Sequence, residues 1–159
     1  DGIKYGYRSK NSETLADLYS NTRGEAFGTE VKRRILLGTF VLSSGYYQNY
    51  YKKAMQARAK IAEELEKIWK HYDIILSPVA PTTAFPYGFQ EKGPVRRYLE
   101  DIYTVPANLA GIPAISLPCG KDKNAMPIGV QLMGPAFSEP ELYRAAYCLE
   151  QEGLYAAGI

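Results

Sequence analysis

Along this chain apolar residues recur every three or four positions in some stretches and cluster or alternate in others. A turn of roughly 100° per residue groups Val31, Ile35, Leu37, Gly38, Val41 and Leu42 on one side of a helix, with Lys32 opposite. That helix is predicted to end at Ser43-Ser44-Gly45, with Gly45 as a left-handed C-cap. A longer helix, from about Tyr46 to Tyr72, carries Tyr47, Tyr51, Ala54, Ile61, Leu65, Ile68 and Tyr72 along a buried seam. On its solvent side Glu63 precedes Lys67 and Glu66 precedes Lys70, each acid four positions before its base. The last helix, Pro140 to Gln151, directs Leu142, Tyr143, Ala146 and Leu149 toward the core.

Strands are expected where the apolar runs are short. Asp1 to Arg8 alternates Ile3, Tyr5 and Tyr7. Asp73 to Ser77 reads as a buried strand that delivers the chain into a rigid loop, Pro78 to Thr83, of the kind that lines pockets. Ala114 to Leu117 and Ile128 to Met133 flank the polar turn Lys121 to Asn124 as a hairpin-like pair. Between these lie a brief helix from Asn11 to Ser20 capped by Ser12 and a glycine-marked loop from Asn21 to Gly28. Arg96 to Val105 has helical spacing, stopped by Pro106, and Asn108 to Pro113 forms a short element with a glycine exit. The strands starting at Asp73, Ala114 and Ile128 should share one sheet packed by helices, an α/β arrangement.

Composition narrows the function classes. With 159 residues and 46% hydrophobic content, a single domain over 1–159 is the expectation. The net charge of +2 comes from 19 basic and 17 acidic residues, interspersed, so no basic stripe exists to track phosphates. Cys119 and Cys148 stand far apart and outside any Cys-x-x-Cys spacing, which argues against zinc, a disulfide scaffold or a redox pair. That usage fits a reducing cytoplasm, and no apolar run approaches the ~20 residues that cross a bilayer. The start at Asp1 without methionine suggests a processed product or a piece of a longer protein.

Two charged residues carry the candidate chemistry. Arg34 falls among the apolar positions of its helix, where an unpaired guanidinium costs several kcal/mol, so a protein carboxylate or a ligand should answer it. Asp101 lies near the apolar side of the helix from Arg96, beside Tyr98 and Val105. Together they are suited either to grip the two charged ends of an α-amino acid or to form one buried salt bridge. His71, the only histidine, sits at a helix carboxyl end, where a cation is mildly favourable, and Ser43 and Ser44 suit helix-end capping better than catalysis. The 14 tyrosines fall mostly on core-facing positions and read as packing residues.

The segments Glu30 to Tyr47 (EVKRRILLGTFVLSSGYY), Tyr50 to Ala54, Asp101 to Pro113 (DIYTVPANLAGIP) and Pro127 to Gly134 (PIGVQLMG) closely resemble the carboxyl-terminal third of the glutaminase subunits of tRNA-dependent amidotransferases. Those subunits are members of the amidase signature family. The resemblance runs in order along nearly the whole chain. It implies the carboxyl-terminal portion of the amidase signature fold, a mixed sheet flanked by helices. It also implies a parent enzyme that frees ammonia from glutamine, which a partner subunit uses to amidate Glu-tRNA(Gln) or Asp-tRNA(Asn). By the same resemblance, Arg34 binds the α-carboxylate of glutamine and Asp101 its α-amino group. The family's catalytic lysine and two serines have no match here, so no catalytic residue is assigned and the isolated chain is expected to be inactive. No cofactor or metal is assigned to this chain; the parent complex uses ATP and Mg in its partner subunit. The implied partners are glutamine, the other amidotransferase subunits and, only through the complex, tRNA, with no membrane. The alternatives are a free-standing amidase for another small amide, and a non-catalytic module that binds a protein partner.

Overall fold

The computed structural model describes residues 3–89 and 99–153, which fall into two compact units divided between Met55 and Gln56. Each unit is described by itself.

In the first unit, α1 (Leu15–Ala26) begins at a reciprocal cap rather than at Ser12. Thr14 Oγ1 accepts from the Asp17 N–H at 3.1 Å, and the Asp17 carboxylate accepts from the Thr14 N–H at 3.1 Å. The helix then passes through Gly24 into the segment where its glycines suggested a loop. An interior glycine costs only about 1 kcal/mol, and burial of Leu18 and Thr22 on the same helix outweighs it. The expected strand at residues 1–8 does not form among its described residues: the backbone bends from Ile3 to Gly6, and Tyr5 and Tyr7 are exposed. Alternation alone makes no ladder without a partner strand. Side chains of α1 hold this segment instead, with Ser9 N–H donating to Thr22 Oγ1 at 3.1 Å and Ser9 Oγ and Tyr7 O–H donating to the Glu25 carboxylate at 2.9 and 2.6 Å.

Helix α2 (Thr29–Leu42) matches its periodicity, yet none of its residues is buried. Its apolar face, with Val31, Ile35, Leu37 and Leu42, is uncovered. The helix ends at Ser43 in extended backbone, whose Oγ donates to the Phe40 carbonyl at 2.7 Å, while Gly45 is not left-handed. A side-chain cap thus takes the place of the expected glycine cap. The chain re-enters a helix through a π-helical turn, Tyr47–Tyr51, in which the Tyr47 and Tyr51 rings stack 5.0 Å apart. Helix α3 (Lys52–Trp69) continues from it without a break.

The seam expected along α3 is partial. Ile61 and Leu65 are half-buried, whereas Tyr47, Tyr51, Ala54, Ile68 and Tyr72 are exposed. Lys67 pairs with Glu63 at 3.1 Å as the spacing required, and also with Glu64 at 3.0 Å. No ion pair joins Glu66 and Lys70 among the described residues; Lys60 pairs with Glu64 at 3.2 Å instead. None of the described helices is long and apolar enough to cross a membrane.

The second unit is built on a three-stranded sheet of β1 (Ile75–Pro78), β2 (Ala114–Lys121) and β3 (Pro127–Met133) in the order β1-β3-β2. The three expected strands do share one sheet, and both pairings are antiparallel. The strand expected to be buried, β1, lies beside one strand, β3, among the described residues, and its Leu76 is exposed. Leu132 stands opposite Leu76 and Ile115, and Gln131 opposite Ser77 and Ser116, so successive β3 residues look to opposite faces. At the β2–β3 turn, Asp122 Oδ1 accepts from the N–H groups of Asn124 and Met126 at 2.7 and 3.0 Å, and Oδ2 from Thr83 Oγ1 at 2.8 Å. One carboxylate therefore closes the hairpin and ties it to the loop after β1.

Before the hairpin comes α4 (Val105–Ala110), which ends at Gly111 with φ 73°, the left-handed conformation that favours glycine. Pro106 lies in the first turn of this helix rather than after the end of one, a place where its missing N–H has no cost. Of the helix expected from Arg96, residues 96–98 lie outside the described residues. Leu99 and Glu100 are helical, and Asp101 to Thr104 form a turn.

After β3, α5 (Glu139–Gln151) packs on β2 and β3. Leu132, Leu142 and Ala146 form the buried cluster, with Ile74, Ile115, Leu117 and Leu149 packed against it. Tyr143, expected to face the core, is 67% exposed and points away. Truncation should separate the two neighbours. Leu142→Ala is expected to cost about 2–5 kcal/mol and Tyr143→Ala about 0.5 kcal/mol or less, measured by urea unfolding. Equal losses would contradict this orientation of α5.

Candidate functional site

Arg34 occupies the middle of α2 and is answered by a carboxylate of its own helix. Glu30, one turn earlier, accepts from Arg34 Nε at 2.9 Å, and from Arg33 Nε and Nη2 at 2.8 and 2.7 Å. The expectation of a guanidinium set into a buried stripe is corrected here: the Arg34 side chain is 60% exposed. A helix with an uncovered apolar face leaves its charged residues in water, where such pairs contribute little. The sequence signal for the pair was present, since Glu30 and Arg34 stand four apart.

Two guanidiniums on one carboxylate change its acidity. The hydrogen bonds from Arg33, then those from Arg34, hold Glu30 down to about 2 from the usual 4.5.

Asp101 belongs to the second unit, and Arg34 to the first. Asp101 is exposed and opens a turn rather than lying on an apolar helix face. Its backbone carbonyl accepts from the N–H groups of Thr104 and Val105 at 3.1 and 3.0 Å, and none of the described residues is bonded to its carboxylate. The turn is thus fixed by its backbone and presents the carboxylate outward. Farther along, Asn108 Nδ2 donates to the Thr104 carbonyl at 2.9 Å, and Arg58 Nε of α3 donates to the Leu109 carbonyl at 2.7 Å.

Sequence reasoning passed over Gln131. It is 2% exposed, and its Nε2 donates to Ser77 Oγ at 3.0 Å and to the Tyr103 carbonyl at 2.6 Å. A glutamine inside the apolar run from Ile128 to Met133 was the available sign. His71 lies just past the end of α3, where its N–H donates to the Ile68 carbonyl at 3.0 Å, a helix-end position as expected.

Among the described residues, each unit forms a concavity of its own. In the second unit the proline loop after β1 lines one of about 370 Å³, with Pro78, Val79, Thr83 and Ile128 in its wall, so this loop does border a pocket. In the first, Arg8, Lys10, Ser12 and Leu18 line one of about 710 Å³. Arg34 and Asp101 line neither of them. Any ligand role of these two residues therefore depends on walls other than these.

The sequence pattern of the amidase family matches residues 2–143. The chain belongs to the amidase signature family. Among amidase relatives, the glutamyl-tRNA(Gln) amidotransferase A subunit of Halothermothrix orenii is 54% identical over 151 residues, which are 95% of this chain and 31% of that protein. The crystal structure of the glutamyl-tRNA(Gln) amidotransferase A subunit from Thermotoga maritima superposes with a TM-score of 0.64 at 49% identity, covering 86% of this chain and 30% of that one. A further amidase structure gives a TM-score of 0.65 at 27% identity, over 86% of this chain and 32% of that one. The helices and small antiparallel sheet are thus an α/β part of the amidase fold, and the chain spans about a third of the length of the curated relatives it matches.

The Glu30 cluster gives a direct test. With a folded value below the usual one, whatever Glu30 adds to α2 is complete above pH 4.5 and is lost as pH falls toward 2. A carbon-detected NMR titration should place the Glu30 carboxyl midpoint near 2, and Arg33→Ala should move it toward 4.5. A midpoint unmoved by that substitution would contradict the assigned cause.

Proposed function

We propose that this chain is the carboxyl-terminal part of the A subunit of a glutamyl-tRNA(Gln) amidotransferase and contributes the part of its glutamine pocket that holds the amino-acid end of the substrate. The observation that carries this reading is 54% identity over 95% of the chain to the Halothermothrix orenii protein of that name. In the parent, ammonia freed from glutamine is used to amidate Glu-tRNA(Gln) or Asp-tRNA(Asn). The other amidotransferase subunits are its partners. ATP and Mg act in one of those partners, and tRNA is met through the complex.

In this reading Arg34 binds the α-carboxylate of glutamine and Asp101 the α-ammonium. The chemistry of each supports its role. A guanidinium offers a planar fork that matches a carboxylate, and an exposed carboxylate at a fixed turn offers acceptors to an ammonium. Arg33 grips Glu30 through two hydrogen bonds of its own, so Glu30 stays paired when Arg34 turns its guanidinium to a ligand. A substrate without a zwitterionic end has no use for this pair of charges.

In the full-length subunit, Arg34→Ala and Asp101→Asn should each lower kcat/KM for glutamine about tenfold to a hundredfold, chiefly through KM, because a charge-assisted contact with the ligand is lost. Melting temperatures should hardly move, since both side chains are exposed and surface charges contribute little to stability. A large fall in melting temperature with unchanged KM would assign both residues to the fold instead.

The 159-residue chain alone should release no ammonia from glutamine, because it offers binding groups without an activated nucleophile. Steady ammonia release by the purified chain, abolished by a serine-directed inactivator, would overturn this.

A further inference from the structure

We infer that Gln131 is a positioning residue for the α-amino end of the substrate, acting through the turn that carries Asp101. The inference rests on the reading of Asp101 as the group that meets the ammonium. Gln131 is 2% exposed in the middle strand of the sheet, where an amide is costly unless its hydrogens are bonded. Its Nε2 has two acceptors. One is Ser77 Oγ at 3.0 Å, directly across the β1–β3 pairing; the other is the Tyr103 carbonyl at 2.6 Å.

The second bond is the informative one. Tyr103 belongs to no strand; it is the third residue of the Asp101–Thr104 turn. That turn is closed by the Asp101 carbonyl, which accepts from Thr104 and Val105, so fixing Tyr103 fixes the backbone from which the Asp101 side chain projects. The bond thus ties an exposed carboxylate, through two residues of backbone, to the middle strand of the sheet. The same side chain, bonded to Ser77, cannot follow the turn without leaving its strand partner. Removing the amide frees the turn, and Asp101 then meets the ammonium from a spread of positions. A site held loosely loses ligand discrimination before it loses chemistry.

Glutaramic acid, which is glutamine without its α-amino group, isolates that contact. In the full-length subunit, kcat/KM for glutamine divided by that for glutaramic acid measures how well the ammonium is read. Gln131→Met keeps chain length and apolar packing but has no donor. Asp101→Asn and Gln131→Met should each reduce the ratio about tenfold or more, through the KM for glutamine. The double variant should fall no further than the lower single, since both act on one contact.

If Gln131→Met fails to fold, Gln131→Asn gives the same readout, because it withdraws the amide by one methylene from the Tyr103 carbonyl. Should the Gln131 variants keep the ratio while Asp101→Asn loses it, the inference fails and the Asp101 reading stands. An equal drop in kcat on both substrates, with the ratio kept, marks Gln131 as merely structural and overturns the inference. A ratio unchanged in Asp101→Asn overturns both.

Discussion

A middle strand must satisfy its backbone on two edges and its side chains on two faces, and in the second unit β3 meets all four demands. Its edges take β1 and β2, with Leu132 opposite both Leu76 and Ile115. On one face Leu132 meets Leu142 and Ala146 of α5, forming the buried apolar cluster of the unit. On the other, the Gln131 amide binds Ser77 and the carbonyl of Tyr103. Moving β3 by one residue would exchange these faces, putting a glutamine against α5 and a leucine against a carbonyl. The register of the sheet and the position of the Asp101 turn therefore answer to one pattern of alternation.

The first unit is held differently, by side chains bonding backbone and one another across short distances. Thr14 with Asp17, Ser9 with Thr22, and Tyr7 and Ser9 with Glu25 fasten an irregular segment to α1. Leu18 and Thr22 are buried on α1, yet α2 buries nothing. A helix whose apolar face is uncovered draws little stability from packing, and its cluster of Glu30, Arg33 and Arg34 is correspondingly a solvated one.

Where periodicity reported real packing, the sequence was readable: the three strands, the hairpin turn, and α5 with Leu142 and Ala146 were all anticipated, while α2 took its expected helical run without burying its apolar face. It misled where a local sign competed with context. Gly24 suggested a loop inside α1, and Ile3, Tyr5 and Tyr7 suggested a strand that has no ladder among the described residues. Pro106 looked like a stop signal, although proline suits the first turn of a helix equally well. The two charged candidates were singled out for a reason that does not hold, since neither Arg34 nor Asp101 is set into buried apolar surface in the described structure. Their assignment stands on the resemblance. Gln131 stayed hidden because burial of a polar group depends on partners distant in sequence, here Ser77 and Tyr103.

The proline that ends β1 has a consequence for how this sheet meets other chains. Val79 N–H donates inward to the Gly129 carbonyl at 3.3 Å, so by strand alternation the nitrogen of the preceding Pro78 lies on the outer edge. A proline nitrogen has no hydrogen to give. An extended peptide that approached this edge to lengthen the sheet would find an acceptor but no donor at Pro78, and one rung of the new ladder would go unmade. The same residue that turns the chain into its pocket-lining loop thereby removes one donor from a strand edge that has no neighbour among the described residues.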